Sequence, residues 1–132
     1  MKHTICALLV LGVISSLTAQ DKNAKSYFDP VFVHTVYFWF KEDTTKKDKV
    51  FFEHSLKKFL SNSKYAKTKF VGTPPEANRE VVDDSFTYSL IVTFESAEAQ
   101  AGYQSEDAHL LFIEECQHLW DKVIVYDSNG VD

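Results

Sequence analysis

Cysteine is scarce in this sequence, with two among 132 residues. Cys6 falls inside an apolar N-terminal run, so a chain that has lost this run keeps Cys116 alone. A lone cysteine cannot form a disulfide within the chain, which excludes the small secreted domains that depend on such bonds. We therefore expect an apolar core, assisted by association with a second chain, to stabilise the fold.

Two further kinds of pattern are also missing, a basic block beside an aromatic platform and a metal-binding motif. Lys and Arg number 14 against 19 Asp and Glu, for a formal net charge of −5. No basic block is paired with an aromatic platform, which argues against nucleic acid as a partner. His34 and His109 could form a metal pair, but no third ligand has suitable spacing, and neither His-x-x-x-His nor Cys-x-x-Cys occurs. We predict no metal and no cofactor.

The N-terminus has the pattern of a secretory signal peptide. Lys2 precedes an apolar run at 5–14, and small residues follow at 15–19, which predicts cleavage near Ala19 or Gln20. The run is shorter than the ~20 residues that a membrane span needs, so we predict a secreted or periplasmic protein with no stable span after cleavage. The predicted divisions are a signal peptide at 1–19, a flexible lead-in at 20–32, one domain at 33–128 and a C-terminal tail at 129–132.

Hydrophobic periodicity predicts the order β-α-β-β-α-β. The predicted elements are strands at 33–40, 67–72, 86–94 and 122–127, a helix from the Asp43–Thr45 region to about Asn62, and a helical region at about 97–121. This order is the α+β, ferredoxin-like plan, in which two helices cover one face of a four-stranded antiparallel sheet. We expect the second helical region to bend at Gln104–Ser105.

The other face of the predicted sheet is too apolar to be left in water. Alternation along the strands places six residues on it, namely Thr35, Tyr37, Trp39, Ser89, Ile91 and Thr93. Joining two such sheets face to face would cover this surface. We therefore predict a homodimer.

The main candidates for chemistry are Tyr103 and His109, which lie six residues apart. On a continuous helix their side chains would diverge by roughly 120°, so they share a site only if the chain turns between them. Ser105 is predicted to cap a new helix with Glu106 and Asp107 in its first turn, which puts His109 in that turn as well. The alternative is that both are satisfied polar groups at the rim of a core.

Four segments, in this order and spacing, resemble the stress-response A/B barrel (Dabb) family. They are His-Thr-Val-Tyr-Phe-Trp-Phe-Lys at 34–41, Val-Thr-Phe-Glu-Ser at 92–96, Tyr103 with His109-x-x-Phe112, and Leu-Trp-Asp-Lys-Val-Ile-Val-Tyr-Asp at 119–127. The resemblance covers about residues 33–128. It implies a ferredoxin-like α+β domain that pairs into a dimeric α/β barrel.

The resemblance also implies roles for particular residues. In a plant polyketide cyclase of the family, a tyrosine and a histidine matching Tyr103 and His109 are catalytic: the imidazole is a general base for aldol closure, and the phenol binds and polarises the substrate. The residues expected to form the ligand-binding wall are His34, Phe38, Phe52, Leu56, Tyr88, Leu90, Phe112, Trp120, Val123 and Val125. The family's His-Pro is replaced here by Glu106-Asp107, and nearby carboxylates favour a protonated imidazole.

Two functions remain open from the sequence. The first is an exported homodimer whose apolar cleft binds a small hydrophobic or carbonyl-containing molecule, with cofactor-free acid–base catalysis such as cyclisation or isomerisation as its enzymatic form. The second is a non-catalytic stress or envelope protein whose dimeric barrel serves assembly or binding. The loop carrying Arg79, Asp83 and Asp84 is either a lid or a surface charge cluster.

Overall fold

A computed structural model describes residues 31–131 of the chain. Its strands are β1 (Phe32–Phe40), β2 (Thr68–Gly72), β3 (Tyr88–Phe94) and β4 (Trp120–Asn129), and its helices are α1 (Lys46–Asn62), α2 (Ala97–Ser105) and α3 (Asp107–Cys116), with a 3-10 turn at Gln117–Leu119. The predicted signal peptide and most of the predicted lead-in lie outside the described residues. The sheet has the order β2-β3-β1-β4, and every pair of neighbours is antiparallel. The predicted ferredoxin-like α+β fold is confirmed.

Helix α1 begins and ends where the sequence predicts. The Thr45 side chain accepts a hydrogen bond from the Asp48 amide, while the Asp48 carboxylate accepts one from the Thr45 amide, which forms a capping box. One stripe of the helix is buried, and it comprises Phe52, Ser55, Leu56, Phe59 and Leu60. This stripe follows the 3.6-residue period and turns α1 towards the sheet.

The helices lie on one face of the sheet. Phe38 of β1 contacts Phe52 of α1 and Phe112 of α3, with ring centroids 5.2 and 6.4 Å apart. On the same face His34 meets Tyr103 of α2 at 5.8 Å. The two sides of β1 therefore differ in burial: every second residue from Phe32 to Phe38 is buried, and those between are half-buried.

The second helical region departs from its prediction in two ways. Ser105 does not cap a new helix but ends α2, and its hydroxyl donates to the carbonyls of Ala101 and Gly102 at 3.4 and 3.1 Å. Glu106 occupies the N-cap of α3 without a side-chain cap. Helical structure also stops at Leu119, so Trp120, expected on a helix, is the first residue of β4. There it pairs with Phe40 across a shift in register.

The sheet face turned away from the helices is the open sheet face. We expected all six of its predicted residues to need cover from a second chain, but two of them are already covered within one chain. Ser89 and Thr93 are buried, at 8% and 2% exposure. The Thr93 hydroxyl is hydrogen-bonded to Thr68 of β2 at 2.6 Å. The ring of Phe70 lies over Gly72 beside Ser89, so close that a Cβ on Gly72 would stand 2.8 Å from it. Local packing on β2 therefore shields these two residues.

No helix among residues 31–131 has the length and apolarity that crossing a membrane requires.

Candidate functional site

A cleft of about 140 Å³ lies between the helices and the β1–β4 side of the sheet. Its lining comprises His34, Val36, Phe38, Phe59, Leu90, Tyr103, Gln104, His109, Phe112, Ile113, Trp120, Val123 and Val125. Most of this wall is apolar, with two imidazoles and a phenol among the exceptions. Val123 and Val125 lie at the sheet edge and remain 37% and 47% exposed, so the cleft opens along β4.

The break between α2 and α3 brings Tyr103 and His109 together. Tyr103 lies near the end of α2, and His109 is the third residue of α3. Their ring centroids are 5.2 Å apart. The predicted turn therefore exists, although Ser105 contributes to it by ending α2 instead of capping α3.

A hydrogen bond fixes the tautomer of His109. Its Nδ1 lies 3.0 Å from the backbone carbonyl oxygen of Gln104. A carbonyl can only accept, so Nδ1 carries the proton and donates it. In the neutral ring, Nε2 is then left as a proton acceptor, which is the form that a general base needs.

The electrostatics of His109 run opposite to the direction predicted from its acidic neighbours. Burial lowers its pKa below the usual 6.5 and nearby His34 adds to this, against the raising effects of the Gln104 hydrogen bond and the Glu106 charge. Asp107 is exposed to solvent, and one oxygen of the Glu106 carboxylate accepts from the Lys64 amide at 3.1 Å. The structure therefore supports a neutral imidazole at pH 7.

Tyr103 is nearly fully buried, at 1% exposure. Burial raises the pKa of its phenol, and the negative charge of Glu106 raises it further. The phenol therefore keeps its proton at neutral pH and can donate a hydrogen bond. Beside the same cleft, the buried indole Nε1 of Trp120 has no partner within residues 31–131. The wall thus combines neutral donors with an acceptor imidazole.

His34 forms a second polar group in the cleft. Its Nδ1 donates to Oδ1 of Asp127 at 2.6 Å. The side chain of His34 is 5% exposed and that of Asp127 is 41% exposed. A carboxylate can only accept, so Nδ1 of His34 carries the proton in this bond. The two residues are register partners on β1 and β4.

Three residues expected in the wall do not line this cleft. Phe52 and Leu56 are fully buried, at 0% exposure, in the core behind it. The Tyr88 hydroxyl donates to Glu53 at 2.7 Å on another side of α1, and burial with this bond raises its pKa. The cleft is also lined by four residues that were not predicted to lie there, namely Val36, Phe59, Gln104 and Ile113. The buried stripe of α1 already contained Phe59, which was the available signal.

The remaining cysteine, two further histidines and the charged residues of the loop before β3 lie outside the cleft. Cys116 is buried, and burial raises the pKa of its thiol to about 11, so it lacks the thiolate character of a nucleophile. His54 and His118 are exposed, as are Arg79, Asp83 and Asp84 of the loop before β3. Within residues 31–131, no group of three or more His, Cys, Asp or Glu side chains is arranged to hold a metal ion.

Sequence and fold comparisons identify similar proteins. Residues 32–129 match the family described as the Stress responsive A/B Barrel Domain, Dabb. No curated protein sequence matches the chain significantly.

Solved structures with the same fold come from plants and bacteria. A hydroxynitrile lyase from Passiflora edulis has a TM-score of 0.68 and 20% identity, over 79% of this chain and 97% of that chain. A Dabb family protein from Mesorhizobium loti has a TM-score of 0.65 and 16% identity, over 79% and 100%. A dimeric ferredoxin-like protein of unknown function from Bacteroides fragilis has a TM-score of 0.63 and 15% identity, over 79% and 100%. At these identities the likeness establishes the fold alone.

Proposed function

This chain belongs to the stress responsive A/B barrel domain family, and on that premise we propose that it binds a small, partly hydrophobic carbonyl compound in the cleft of each subunit of an exported homodimer. The proposal extends to cofactor-free acid–base chemistry on that compound. Its chief support is the state of His109, a neutral imidazole whose Nδ1 is tied to Gln104 and whose acceptor is therefore Nε2.

The cleft chemistry suits proton abstraction next to a carbonyl group. His109 Nε2 accepts a proton from the carbon adjacent to the carbonyl. The electron pair of that C–H bond forms a carbon–carbon double bond, and the π pair of the carbonyl group moves to its oxygen, which gives an enolate. The protonated phenol of Tyr103 donates a hydrogen bond to that oxygen and stabilises its negative charge. The apolar wall strengthens this interaction because it excludes water.

Binding in the cleft is tested with acetophenone, a single-ring ketone, by amide NMR titration of the wild-type protein. We expect saturable shifts at Gln104, Val123 and Val125, which line the cleft. Val50, on the outer side of α1 and 67% exposed, serves as the internal control and should not move. Saturable shifts confined to other surfaces, or none up to the solubility limit of the ketone, would contradict the proposal.

The homodimer is supported by the residues that remain apolar and exposed on the open sheet face. Phe70 is 57% exposed and Tyr126 is 59% exposed, and Tyr37 contacts Tyr126 at a ring separation of 6.3 Å. Register places Phe70, Ile91 and Tyr126 in one row across the sheet. Pairing with a second copy would remove this row from water.

Introducing a charge on the open face should separate the dimer. We expect Tyr126→Glu to shift the protein from dimer to monomer in analytical ultracentrifugation, because a carboxylate would be buried without a partner. Val50→Glu places the same charge on the other side of the molecule and should leave the dimer intact. A monomeric wild type at micromolar concentration, or equal behaviour of the two variants, would refute the face-to-face arrangement.

The alternative is a non-catalytic assembly protein, which would form its dimer through the same open sheet face. It predicts a dimer that does not bind acetophenone at His109 and does not catalyse proton exchange.

Export is a separate part of the proposal, supported by the apolar run at 5–14 and the small residues at 15–19. Mass spectrometry of the protein from its source should give a mature N-terminus near Gln20; a retained Met1 would contradict export by this route.

A further inference from the structure

The cleft shares one wall with a second hollow. A groove of about 300 Å³ runs between α1 and α3 on the outer side of the helices. Its lining comprises Ser55, Lys58, Phe59, Asn62, Ala108, Leu111, Phe112 and Glu115. Phe59 and Phe112 line both this groove and the cleft. These two rings are therefore the partition between them.

The partition is a stacked pair. The two ring centroids are 5.4 Å apart with an interplanar angle of 15°, and each residue is 3% exposed. Phe59 is held on the cleft side by Tyr103 and His109, at 5.1 and 5.2 Å. Phe112 is held from the core by Phe52, at 5.7 Å. Contacts from both sides keep the rings in place.

Cavity size sets what fits in front of this partition. A protein cavity of about 150 Å³ holds one benzene molecule. The cleft has about 140 Å³, enough for one six-membered ring with a short substituent. The groove behind the partition has about twice that volume, and Ala108 and Leu111 give it an apolar wall suited to an alkyl chain.

We propose that the Phe59–Phe112 pair is the specificity determinant that limits the length of the ligand. The pair closes the inner end of the cleft, so a ring bound there has room for only a short substituent on the side that faces the pair. Removing one ring joins the cleft to the groove and allows an alkyl substituent to extend along Leu111. This proposal rests on the proposed cleft function, because it concerns the ligand of the same site.

The test measures dissociation constants for a series of 4-alkylphenols, from phenol to 4-hexylphenol, by isothermal titration calorimetry. For the wild-type protein we expect affinity to fall once the chain reaches about three carbons. For Phe59→Ala we expect affinity to rise by about fourfold per added methylene, the increment for burying a CH2 group. In this variant alone, 4-hexylphenol should also shift the NMR amides of Ala108 and Leu111.

Two further variants separate specificity from loss of structure. Phe59→Leu removes less of the partition than Phe59→Ala, so it should change the length profile in the same direction by a smaller amount. It replaces Phe59→Ala as the test if that variant folds poorly. Leu60→Ala removes a neighbouring buried side chain that lines neither hollow, and should keep the wild-type length profile. Thermal unfolding of each variant confirms that folded protein is compared.

The outcomes distinguish the two proposals. If the wild type binds 4-hexylphenol as tightly as phenol, or if both Phe59 variants bind phenol and keep the wild-type length profile, the length proposal is wrong while cleft binding stands. If neither phenol nor acetophenone binds any of these proteins, cleft binding itself fails, and the length proposal fails with it. If acetophenone alone binds, the same length profile is expected for 4-alkylacetophenones, and its absence would refute the length proposal.

Discussion

Replacing Phe52 by alanine is expected to lower the free energy of unfolding by about 3–5 kcal/mol, the usual cost of removing a buried phenylalanine ring. Phe52 is 0% exposed. Its ring lies 4.8 Å from that of Phe40, 4.9 Å from that of Tyr88 and 5.2 Å from that of Phe38. The ring thus joins α1 to two strands. A domain of this size has about 5–15 kcal/mol of stability in total, so the variant should be close to unfolding.

The adjacent residue provides a matched control. Phe51 is on the same helix but is 44% exposed, and Phe51→Ala should cost less than about 1 kcal/mol. Urea unfolding followed by circular dichroism measures both values, and the midpoint of thermal unfolding should fall by about 4–8 °C per kcal/mol. Similar losses in the two variants would show that Phe52 is not at the centre of the core.

Replacing His109 by glutamine is expected to lower base catalysis in the cleft by about 10²- to 10⁴-fold, the usual contribution of a positioned general base. The measured reaction is exchange of the methyl protons of acetophenone for solvent deuterium, followed by proton NMR. The base removes a methyl proton, and the enolate then takes a deuteron from solvent. Glutamine has similar length and keeps a donor for the Gln104 carbonyl, but it has no basic nitrogen.

The pH profile gives a second readout of the same assignment. Neutral imidazole is the active form, and burial lowers the pKa of His109 below 6.5. The exchange rate should therefore rise with pH through that lowered pKa and level off above it. His118→Gln alters an exposed histidine outside the cleft and should retain the full rate and profile. Equal rates for His109→Gln and the wild type would remove His109 from the mechanism.

The fold could be predicted because its information is local. Alternating burial in β1, the apolar stripe of α1 and the Thr45 cap each depend on residues a few positions apart. The end of the second helical region could not be read in this way. Trp120 continues the helical spacing of the residues before it, yet its pairing with Phe40 decides its conformation. Tertiary contact overrode the local pattern there.

The candidate site was predictable to a similar degree. The juxtaposition of Tyr103 and His109 followed from the chain break between them. The bond from His34 to Asp127 did not, because it joins positions 93 apart and depends on strand register. The direction of the His109 pKa shift was also not predicted correctly from the sequence. Neighbouring acids are visible in a sequence, whereas burial, which is the larger effect here, is a property of the whole fold.

The hydrogen bond between His109 and Gln104 has a consequence for evolution. The Gln104 carbonyl lies in the last turn of α2, where backbone acceptors have no partner within the helix, so the imidazole also acts as a C-terminal cap. Selection for a stable helix end would retain a hydrogen-bond donor at position 109 even in a protein without catalytic activity. A histidine at this position in a related protein is thus no proof of catalysis. Only a reaction measured to depend on Nε2 distinguishes a catalytic role of this histidine from a structural one.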